Sequence, residues 1–381
     1  MENIDIKVWS DLNLKDDLLR GIYAYGFEEP SEIQKKAIHP ILKKRDIITQ
    51  AQSGSGKTGT FSISTLQLVD PLIDCTQAII LAPTHELAFQ IDKVISSIST
   101  FIDGLQIKSL VGGTSVQEDI KYLQNNRPHI IVGTIGRTLD MIKKRLLHLD
   151  QLRIFVLDEA DELLSGTFKE NIQNIVQKLS TDTQIAIFSA TMPPPIIELT
   201  EKFMNNPYKI IVDKEELTLE CIEQSFIAVE DDAHKYNTLK QIFETLSINQ
   251  CIVFVNGVNR VTDLYEAMKN ENYNICCMHS NMSKQERKDT ITSFRSGGYR
   301  LLLSSDVTAR GIDVQQVELV INFDIPNNVN TYLHRIGRGG RWGRKGVAIN
   351  LITRKDVNQM RYIETHYNIS IKEFKKTSVF V

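Results

Sequence analysis

The sequence is poor in cysteine, in tryptophan and in long apolar runs. Its 381 residues include five cysteines and two tryptophans, and no two cysteines have the C-x-x-C spacing of a zinc or redox site. Apolar runs such as "CIVFV" have the length of a strand, well below the roughly 20 residues that cross a bilayer. The first residues, "MENIDIKVWSDLNLKDD", lack the apolar segment of a secretory signal. We therefore expect reduced thiols, no membrane span and a cytoplasmic location, with a nuclear location as the alternative.

Basic charge is also in short supply. Lysine and arginine number 44 against 47 aspartates and glutamates, for a formal net charge of −3. This balance excludes a broad basic face, so any contact with nucleic acid must be local. The segment "HRIGRGGRWGR" nevertheless places Arg335, Arg338, Arg341 and Arg344 at every third position. Guanidiniums this close repel one another unless an anion gathers them. The residues alone leave two anions open, the phosphates of a nucleotide and those of a nucleic acid.

The length and the apolar pattern predict a two-domain α/β protein. Short β-branched runs recur in two series, among them "QAIILAPT", "PHIIVGT" and "QIAIFSAT", then "QCIVFVN", "RLLLSSD" and "GVAINLIT". Amphipathic stretches such as "VTDLYEAMKN" and "KQERKDTITSFR" separate them. Each domain should therefore be a mostly parallel sheet flanked by helices, with ligands at the carboxyl ends of the strands. We expect domains at 1–211 and 223–381, joined by a linker at 212–222.

A phosphate-binding loop is predicted at "AQSGSGKT", after the apolar pair Ile47 and Ile48. The segment fits G-x-x-x-x-G-K-[ST], except that alanine replaces the first glycine. Backbone N–H groups of such a loop surround phosphate oxygens, and the following helix adds its N-terminal dipole. Lys57 should reach the β- and γ-phosphates, and the Thr58 hydroxyl should bind Mg²⁺. The predicted nucleotide-binding residues are Ala51, Gln52, Ser53, Gly54, Ser55, Gly56, Lys57 and Thr58.

The segment "IFVLDEAD" is expected to complete the nucleotide site. The apolar strand ends in Asp158, whose carboxylate can hold the metal through water. Glu159 can orient or deprotonate an attacking water. By itself this pattern is also typical of a solvated helix start. Its position downstream of a phosphate-binding loop favours the catalytic interpretation.

Several motifs together resemble the DEAD-box RNA helicases. They are, in order, "AQSGSGKT", "VLDEADELL", "SAT", "ARGID" and "HRIGRGGR", and the resemblance runs nearly end to end. The segments "GFEEPSEIQ", "EELTLE" and "NTYLHRIGRGGRWGRKGVAIN" most resemble the translation initiation factor four-A group. The resemblance implies two tandem RecA-like domains that close over ATP and single-stranded RNA.

The resemblance also implies roles in ATP binding and hydrolysis. Gln34 would read the adenine edge and Trp9 would stack on the adenine, although a core aromatic is the alternative for Trp9. Arg338 and Arg341 would stabilise the charge of the transferred phosphate. The remaining implied residues are Gly311 and Asp313 for ATP, and Asp161, Ser189, Thr191, His334 and Arg335 for coupling ATP to RNA.

RNA contacts are likewise implied by the resemblance. The residues are Pro83, Thr84, His85, Gly112, Gly113, Thr134, Gly136, Arg137, Asn256, Arg287 and Ser305. Small residues at strand ends let an RNA backbone approach protein N–H groups without base readout. His85 stands where the family has arginine, and Ile135 where it has proline. We therefore expect weaker RNA affinity than in typical relatives, rising as the pH falls towards about 6.

The resemblance thus implies an RNA-stimulated ATPase that uses ATP and Mg²⁺ to separate short RNA duplexes, with a translation role as one option. An ATP-gated RNA clamp that unwinds little is the alternative. A DNA translocase and a metabolic kinase fit the motifs poorly. The expected partners are single-stranded or duplex RNA and a helical-repeat scaffold of the initiation factor four-G type. The protein itself is expected to be a monomer.

Overall fold

The computed structural model describes residues 6–51, 54–166, 168–211, 222–245, 248–306, 317–339 and 346–374. The chain falls into two compact units, Met1–Val212 and Asp213–Val381, called unit 1 and unit 2 below. The predicted linker at 212–222 lies, apart from Ile222, outside the described residues.

Unit 1 is built on a parallel sheet with helices on both faces. Its described strands are β1 (Ile47–Gln50), β2 (Ala78–Ala82), β3 (Ile107–Leu110), β4 (Ile130–Thr134), β5 (Ile154–Asp158), β6 (Gln184–Ser189) and β7 (Tyr208–Ile211). A 3₁₀ turn at Trp9–Leu12 precedes helices α1 (Asp16–Ala24), α2 (Glu32–Leu42), α3 (Lys57–Leu68), α4 (His85–Ile98), α5 (Val116–Asn125), α6 (Ile135–Lys143), α7 (Ala160–Leu163), α8 (Phe168–Val176) and α9 (Pro194–Thr200).

Central strand β2 of unit 1 is apolar at every position because both faces of the sheet are covered there. In β2, Ile80 belongs to the core on one face, whereas Ile79 and Leu81 belong to the core on the other. The strand order is β3-β4-β2-β5-β6-β1-β7, with every described pair parallel. The carboxyl ends of β1, β5 and β6 therefore lie side by side, and so do the carboxyl ends of β2, β3 and β4. Both groups lie along the same side of the sheet, where ligands bind in parallel sheets.

Unit 2 repeats this architecture. Its described strands are β8 (Ile222–Ala228), β9 (Cys251–Phe254), β10 (Ile275–Met278), β11 (Leu301–Ser304), β12 (Leu319–Asn322), β13 (Gly346–Ile352) and β14 (Lys372–Glu373), in the order β10-β11-β9-β12-β13-β8-β14. Its described helices are α10 (Asp232–Thr245), α11 (Val258–Asn270), α12 (Lys284–Arg295), α13 (Val329–Ile336) and α14 (Val357–Tyr367).

The predicted fold class is confirmed: each unit is a seven-stranded parallel sheet flanked by helices, within the part of the chain that the structure describes. The stretch "KQERKDTITSFR" is helix α12 over its whole length. Its start is fixed by a capping box, because the Ser283 hydroxyl accepts from Glu286 N while the Glu286 carboxylate accepts from Ser283 N.

Candidate active site

The phosphate-binding loop joins β1 to α3. Gly54 and Gly56 have φ angles of 85° and 103°, which glycine adopts without strain and other residues do not. Ala51 needs no such angle, and its N–H donates to the Ser189 carbonyl at 3.1 Å. Alanine is therefore compatible with the first position of the loop. Five predicted site residues lie outside the described residues: Gln52, Ser53, Gly311, Asp313 and Arg341.

Helix α2 is bound to the phosphate-binding loop at its first turn. Gln34 is buried, and its Oε1 accepts from Ser31 N at 2.7 Å while its Nε2 donates to the Gly56 carbonyl at 3.4 Å. The Ser31 hydroxyl donates to the Ser55 carbonyl at 2.8 Å. The amide of Gln34 retains one further N–H and one further lone pair, which suit the edge of an adenine ring.

The predicted contact of Trp9 with adenine is wrong. Trp9 is 0% exposed in the core of unit 1, its indole N–H donates to the Phe27 carbonyl at 3.1 Å, and its ring stacks on Phe27 with centroids 6.2 Å apart. Phe27 is a half-buried aromatic that lies close to the first turn of α3. A Cβ built on Gly59 in that turn would lie 2.7 Å from Gln34 Nε2 and 3.1 Å from Phe27 Cε2. Sequence reasoning missed Phe27, although it lies inside the quoted "GFEEPSEIQ".

Two acidic residues and one lysine meet beyond the strand ends. Asp158 ends β5, and Glu159 follows it with a φ of 50°; both are buried. Burial and the carboxylate of Glu159 raise the pKa of Asp158 to about 7, although the ammonium of Lys57 opposes this. The Glu159 Oε2 atom is buried and accepts no hydrogen bond from any described residue. Lys57, the first residue of α3, donates from Nζ to the Ala51 carbonyl at 2.6 Å.

Asp161 connects the ends of β5 and β6. Its carboxylate accepts from the Ser189 hydroxyl at 2.8 Å and from the Thr191 hydroxyl at 2.5 Å. The pairing of β5 with β6 sets Asp158 opposite Phe188, which brings the segments that follow both strands together. The structure thus brings together three of the residues predicted to couple ATP to RNA, and their coupling role stays a prediction.

Most of the RNA residues predicted in unit 1 lie around one open cleft at the ends of β2, β3 and β4. The cleft encloses about 430 Å³ and is lined by Pro83, His85, Gly112, Thr134, Ile135, Gly136, Arg137, Asp140 and Phe168. Helices α4 and α6 begin at this cleft. Thr134 precedes α6 without capping it, because its hydroxyl accepts from Gly112 N at 3.2 Å. Thr84 caps α4, and Gly113 has a φ of 71°.

Arg137 does not offer its charge to the cleft. Its guanidinium is buried and pairs with the carboxylate of Asp119. It also donates to the Thr114 hydroxyl at 2.9 Å and to the Thr114 carbonyl at 2.7 Å. The side chain of Arg137 therefore fixes the segment after β3, and its direct contact with RNA stays a prediction. The pairing was invisible in the sequence, where Asp119 stands 18 residues away.

Arg335 organises the corresponding edge of unit 2. Its guanidinium is fully buried and donates to Asp306 Oδ1 at 2.6 Å, to the Asp324 carbonyl at 2.7 Å and to Asn256 Oδ1 at 2.7 Å. The Asn256 amide donates in turn to the Ile325 carbonyl at 2.8 Å. The side chain of Asn256 thus joins strand ends of unit 2, and its RNA contact stays a prediction.

The other described site residues of unit 2 lie near the same edge. Ser305 follows β11, and Arg287 lies in the first turn of α12. His334 is in the last turn of α13, and the Arg338 Nε donates to the His334 carbonyl at 3.2 Å. Both His334 and Arg338 are buried.

Comparison with known proteins decides the family. The DEAD/DEAH box helicase model matches residues 31–199, and the helicase conserved C-terminal domain model matches residues 234–343. The chain is 52% identical over 365 residues to the ATP-dependent RNA helicase eIF4A of Chaetomium globosum, covering 96% of this chain and 91% of the relative. This chain is a DEAD-box helicase. The eIF4A of Kluyveromyces lactis is 48% identical, with 96% of this chain and 92% of the relative covered.

Solved DEAD-box structures share the fold. Saccharomyces cerevisiae Dbp5 bound to RNA and ADP BeF3 matches with a TM-score of 0.90 at 33% identity, over 96% of this chain and 95% of that chain. Mss116p bound to ssRNA and AMP-PNP matches with a TM-score of 0.87 at 28% identity, over 97% of this chain and 79% of that chain. The DEAD-box chain is thus an ATP-dependent RNA helicase of the eIF4A type, an enzyme whose ATP hydrolysis RNA stimulates. Among its described helices, none has the length and apolar character needed to cross a membrane.

Proposed function

We propose that this helicase binds single-stranded RNA without reading its sequence, and that ATP-driven closure of its two units separates short RNA duplexes. The observation that carries the RNA site is the cleft of unit 1. There α6 begins without a side-chain cap, so its first N–H groups and its dipole are available to a phosphate. Gly136, its second residue, has open space where a side chain would stand. A sugar–phosphate backbone can therefore approach closely.

We propose ATP binding at the phosphate-binding loop, with Phe27 and Gln34 holding the adenine and Lys57 holding the β- and γ-phosphates. Glu159 orients and deprotonates the attacking water. Arg338 and Arg341 are proposed, on the resemblance, to stabilise the transferred phosphate. The buried Asp158, whose pKa is raised, supports this assignment, since a perturbed carboxylate beside a phosphate-binding loop is typical of catalytic sites.

The same carboxylates fit a magnesium ion. Mg²⁺ prefers carboxylate and hydroxyl oxygens and keeps several waters. The buried Asp158 and the unsatisfied Glu159 Oε2 offer oxygen atoms. Asp158 interacts with the ammonium of Lys57, and Thr58 follows Lys57 in the first turn of α3. We propose that Thr58 binds the ion directly and Asp158 through water. The ion would neutralise charge on the bound phosphates.

Release of a strand from a short labelled RNA duplex tests this function against the RNA clamp. We expect release of the strand with ATP and none with a non-hydrolysable analogue. Hydrolysis that RNA stimulates without strand release would establish the clamp instead.

Replacing Phe27 by alanine should weaken ATP binding by about three- to tenfold, because the adenine loses a flat apolar partner. Phe27→Tyr should bind like the parent. Titration with a fluorescent ATP analogue measures both, and Tyr23→Ala provides an exposed aromatic control on α1. Unchanged affinity in Phe27→Ala would remove Phe27 from the site.

Replacing His85 by arginine should raise RNA affinity severalfold and steepen its salt dependence, since a permanent positive charge is added at the cleft. The ring of His85 lies over Gly112, where a Cβ would be 3.1 Å from Nε2. Binding of labelled RNA at several salt concentrations measures the effect. The parent should also gain affinity towards about pH 6, and His85→Gln should not. Equal pH profiles would contradict this role of His85.

We further propose a helical-repeat scaffold of the initiation factor four-G type as partner, a monomeric state and a cytoplasmic location. The support is the 52% identity to an eIF4A relative. Co-purification of such a scaffold with the tagged chain tests the partnership, and its absence would count against it.

A further inference from the structure

We propose that a buried polar chain of three side chains, Asn322, Asn350 and Tyr332, fixes the position of Arg335 in unit 2 and thereby supports RNA-stimulated ATP hydrolysis. The three residues act through Arg335, so they are positioning residues. This inference rests on the proposed function, because it takes Arg338, which follows Arg335 by one turn of backbone, to stabilise the transferred phosphate.

The two asparagines lie where the sheet of unit 2 is covered on both faces. Asn322 ends β12, Asn350 lies in β13, and the parallel register sets them side by side. Both are 0% exposed. On the face of Asn350, Ala348 and Ile352 belong to the apolar cluster that also contains Ile336 of α13. Apolar side chains would fill the two asparagine positions without any hydrogen-bond requirement, so the buried amides call for a reason beyond packing.

The hydrogen bonds of the polar chain all run in one direction. Arg335 Nη1 donates to Asn322 Oδ1 at 3.3 Å, and Asn322 Nδ2 donates to Asn350 Oδ1 at 2.9 Å. Asn350 Nδ2 donates to the Tyr332 hydroxyl at 3.3 Å, which donates to Gln224 Oε1 at 2.9 Å. Hydrogen bonds aligned in this way polarise one another, and the first amide oxygen faces the positive guanidinium. The polar chain therefore favours one orientation of Arg335.

Arg335 carries this orientation to the carboxyl ends of the strands of unit 2. Its guanidinium donates to Asp306, shortly after β11, and to Asn256, shortly after β9. The Arg338 N–H donates to the Arg335 carbonyl at 3.2 Å, so the backbone of Arg338 continues from that of Arg335. Tyr332 and Arg335 both lie on α13, and the polar chain thus holds this helix at two points. A helix held in this way presents Arg338 from a fixed position.

The test replaces both asparagines in the full chain, as Asn322→Leu with Asn350→Leu. Leucine has the branched shape of asparagine without its polar atoms, and removing both partners of a buried hydrogen bond is nearly neutral for stability. The double variant should therefore unfold near the parental temperature. At saturating ATP and RNA its kcat should fall about 10- to 100-fold, because Arg338 loses its fixed position. Its affinity for a fluorescent ATP analogue should stay parental, since Gln34 and Lys57 lie in unit 1.

Tyr332→Phe probes the far end of the polar chain with a smaller change. It keeps the ring and removes the hydroxyl that accepts from Asn350, so kcat should fall about two- to fivefold. If the double variant does not fold, this variant decides, and a parental kcat in Tyr332→Phe then overturns the inference.

Gln250→Leu supplies the matched control. Gln250 is a buried amide that directly precedes β9 and donates to the Phe294 and Tyr299 carbonyls, outside the polar chain. It should unfold at a lower temperature and hydrolyse ATP with the parental kcat. A folded double variant with parental kcat overturns the inference, and so does an equal loss of kcat in Gln250→Leu.

Arg338→Ala separates a failure of this inference from a failure of the proposed function. If Arg338→Ala is slow and the double variant is parental, the inference alone fails. If Arg338→Ala keeps the parental kcat, the role proposed for Arg338 fails, and the inference fails with it.

Discussion

Glu159→Gln is expected to lower the rate of ATP hydrolysis by about 10²- to 10⁴-fold, with ATP binding retained. Glutamine has the shape of glutamate but cannot accept a proton from water. Glu159 is buried, directly follows β5, and holds an Oε2 atom that no described residue satisfies. The change should leave the fold intact, because it removes one of two adjacent buried carboxylates. Steady-state hydrolysis at saturating RNA measures the rate.

Glu170→Gln is the matched control for this variant, since Glu170 is an exposed glutamate on α8 of the same unit. It should hydrolyse ATP at the parental rate. Titration with a fluorescent ATP analogue should give the parental affinity for both variants. A Glu159→Gln protein within about threefold of the parental rate would show that another group activates the water.

Lys57→Ala is expected to weaken ATP binding and to lower the hydrolysis rate together, by about 10²- to 10³-fold in kcat/KM. Lys57 is buried at the start of α3, and its ammonium donates to the Ala51 carbonyl. Alanine is a good helix residue at this position. The loss should therefore appear in ATP handling and not in folding.

Thermal unfolding separates these two effects. A ligand at 100 times its dissociation constant stabilises a protein by about 2.7 kcal/mol, so ATP should raise the melting temperature of the parent by several degrees. The Lys57→Ala protein should unfold near the parental temperature without ATP and should show no such rise with it. Lys178→Ala, at an exposed lysine in unit 1, should behave like the parent. An undiminished rise in Lys57→Ala would contradict the assignment of Lys57.

The strands that the sequence predicts are those buried on both faces. The runs at β2, β4 and β6 are almost continuously apolar. A strand buried on both faces needs apolar residues at nearly every position, so a continuous apolar run predicts it. The missed strands carry weaker patterns. Edge strand β3, "IKSL", is half polar. Strand β8, "IEQSFIA", mixes polar and apolar residues and begins at Ile222, the last residue of the predicted linker.

The candidate site was predictable where short motifs encode it. The phosphate-binding loop, Asp158 and Glu159 follow from local spacing. The burial of a side chain and its contacts with residues far away in the sequence could not be predicted from the motifs. Trp9 and Phe27 are both aromatic and both upstream of Gln34, and only the fold shows that Trp9 supports Phe27 from inside the core. The ion pair of Arg137 with Asp119 likewise joins residues that are far apart in the sequence.

RNA binding depends above all on phosphates held at the start of α6, and Gly136→Asp tests this most directly. Open space surrounds the missing side chain, and aspartate suits the first turn of a helix, so the fold should tolerate the change. Its carboxylate would occupy the anion site and repel a phosphate. We predict that RNA accelerates ATP hydrolysis by the parent and by Gly136→Ala, but not by Gly136→Asp, whose RNA-free rate should be parental. Full RNA stimulation of Gly136→Asp would contradict the account.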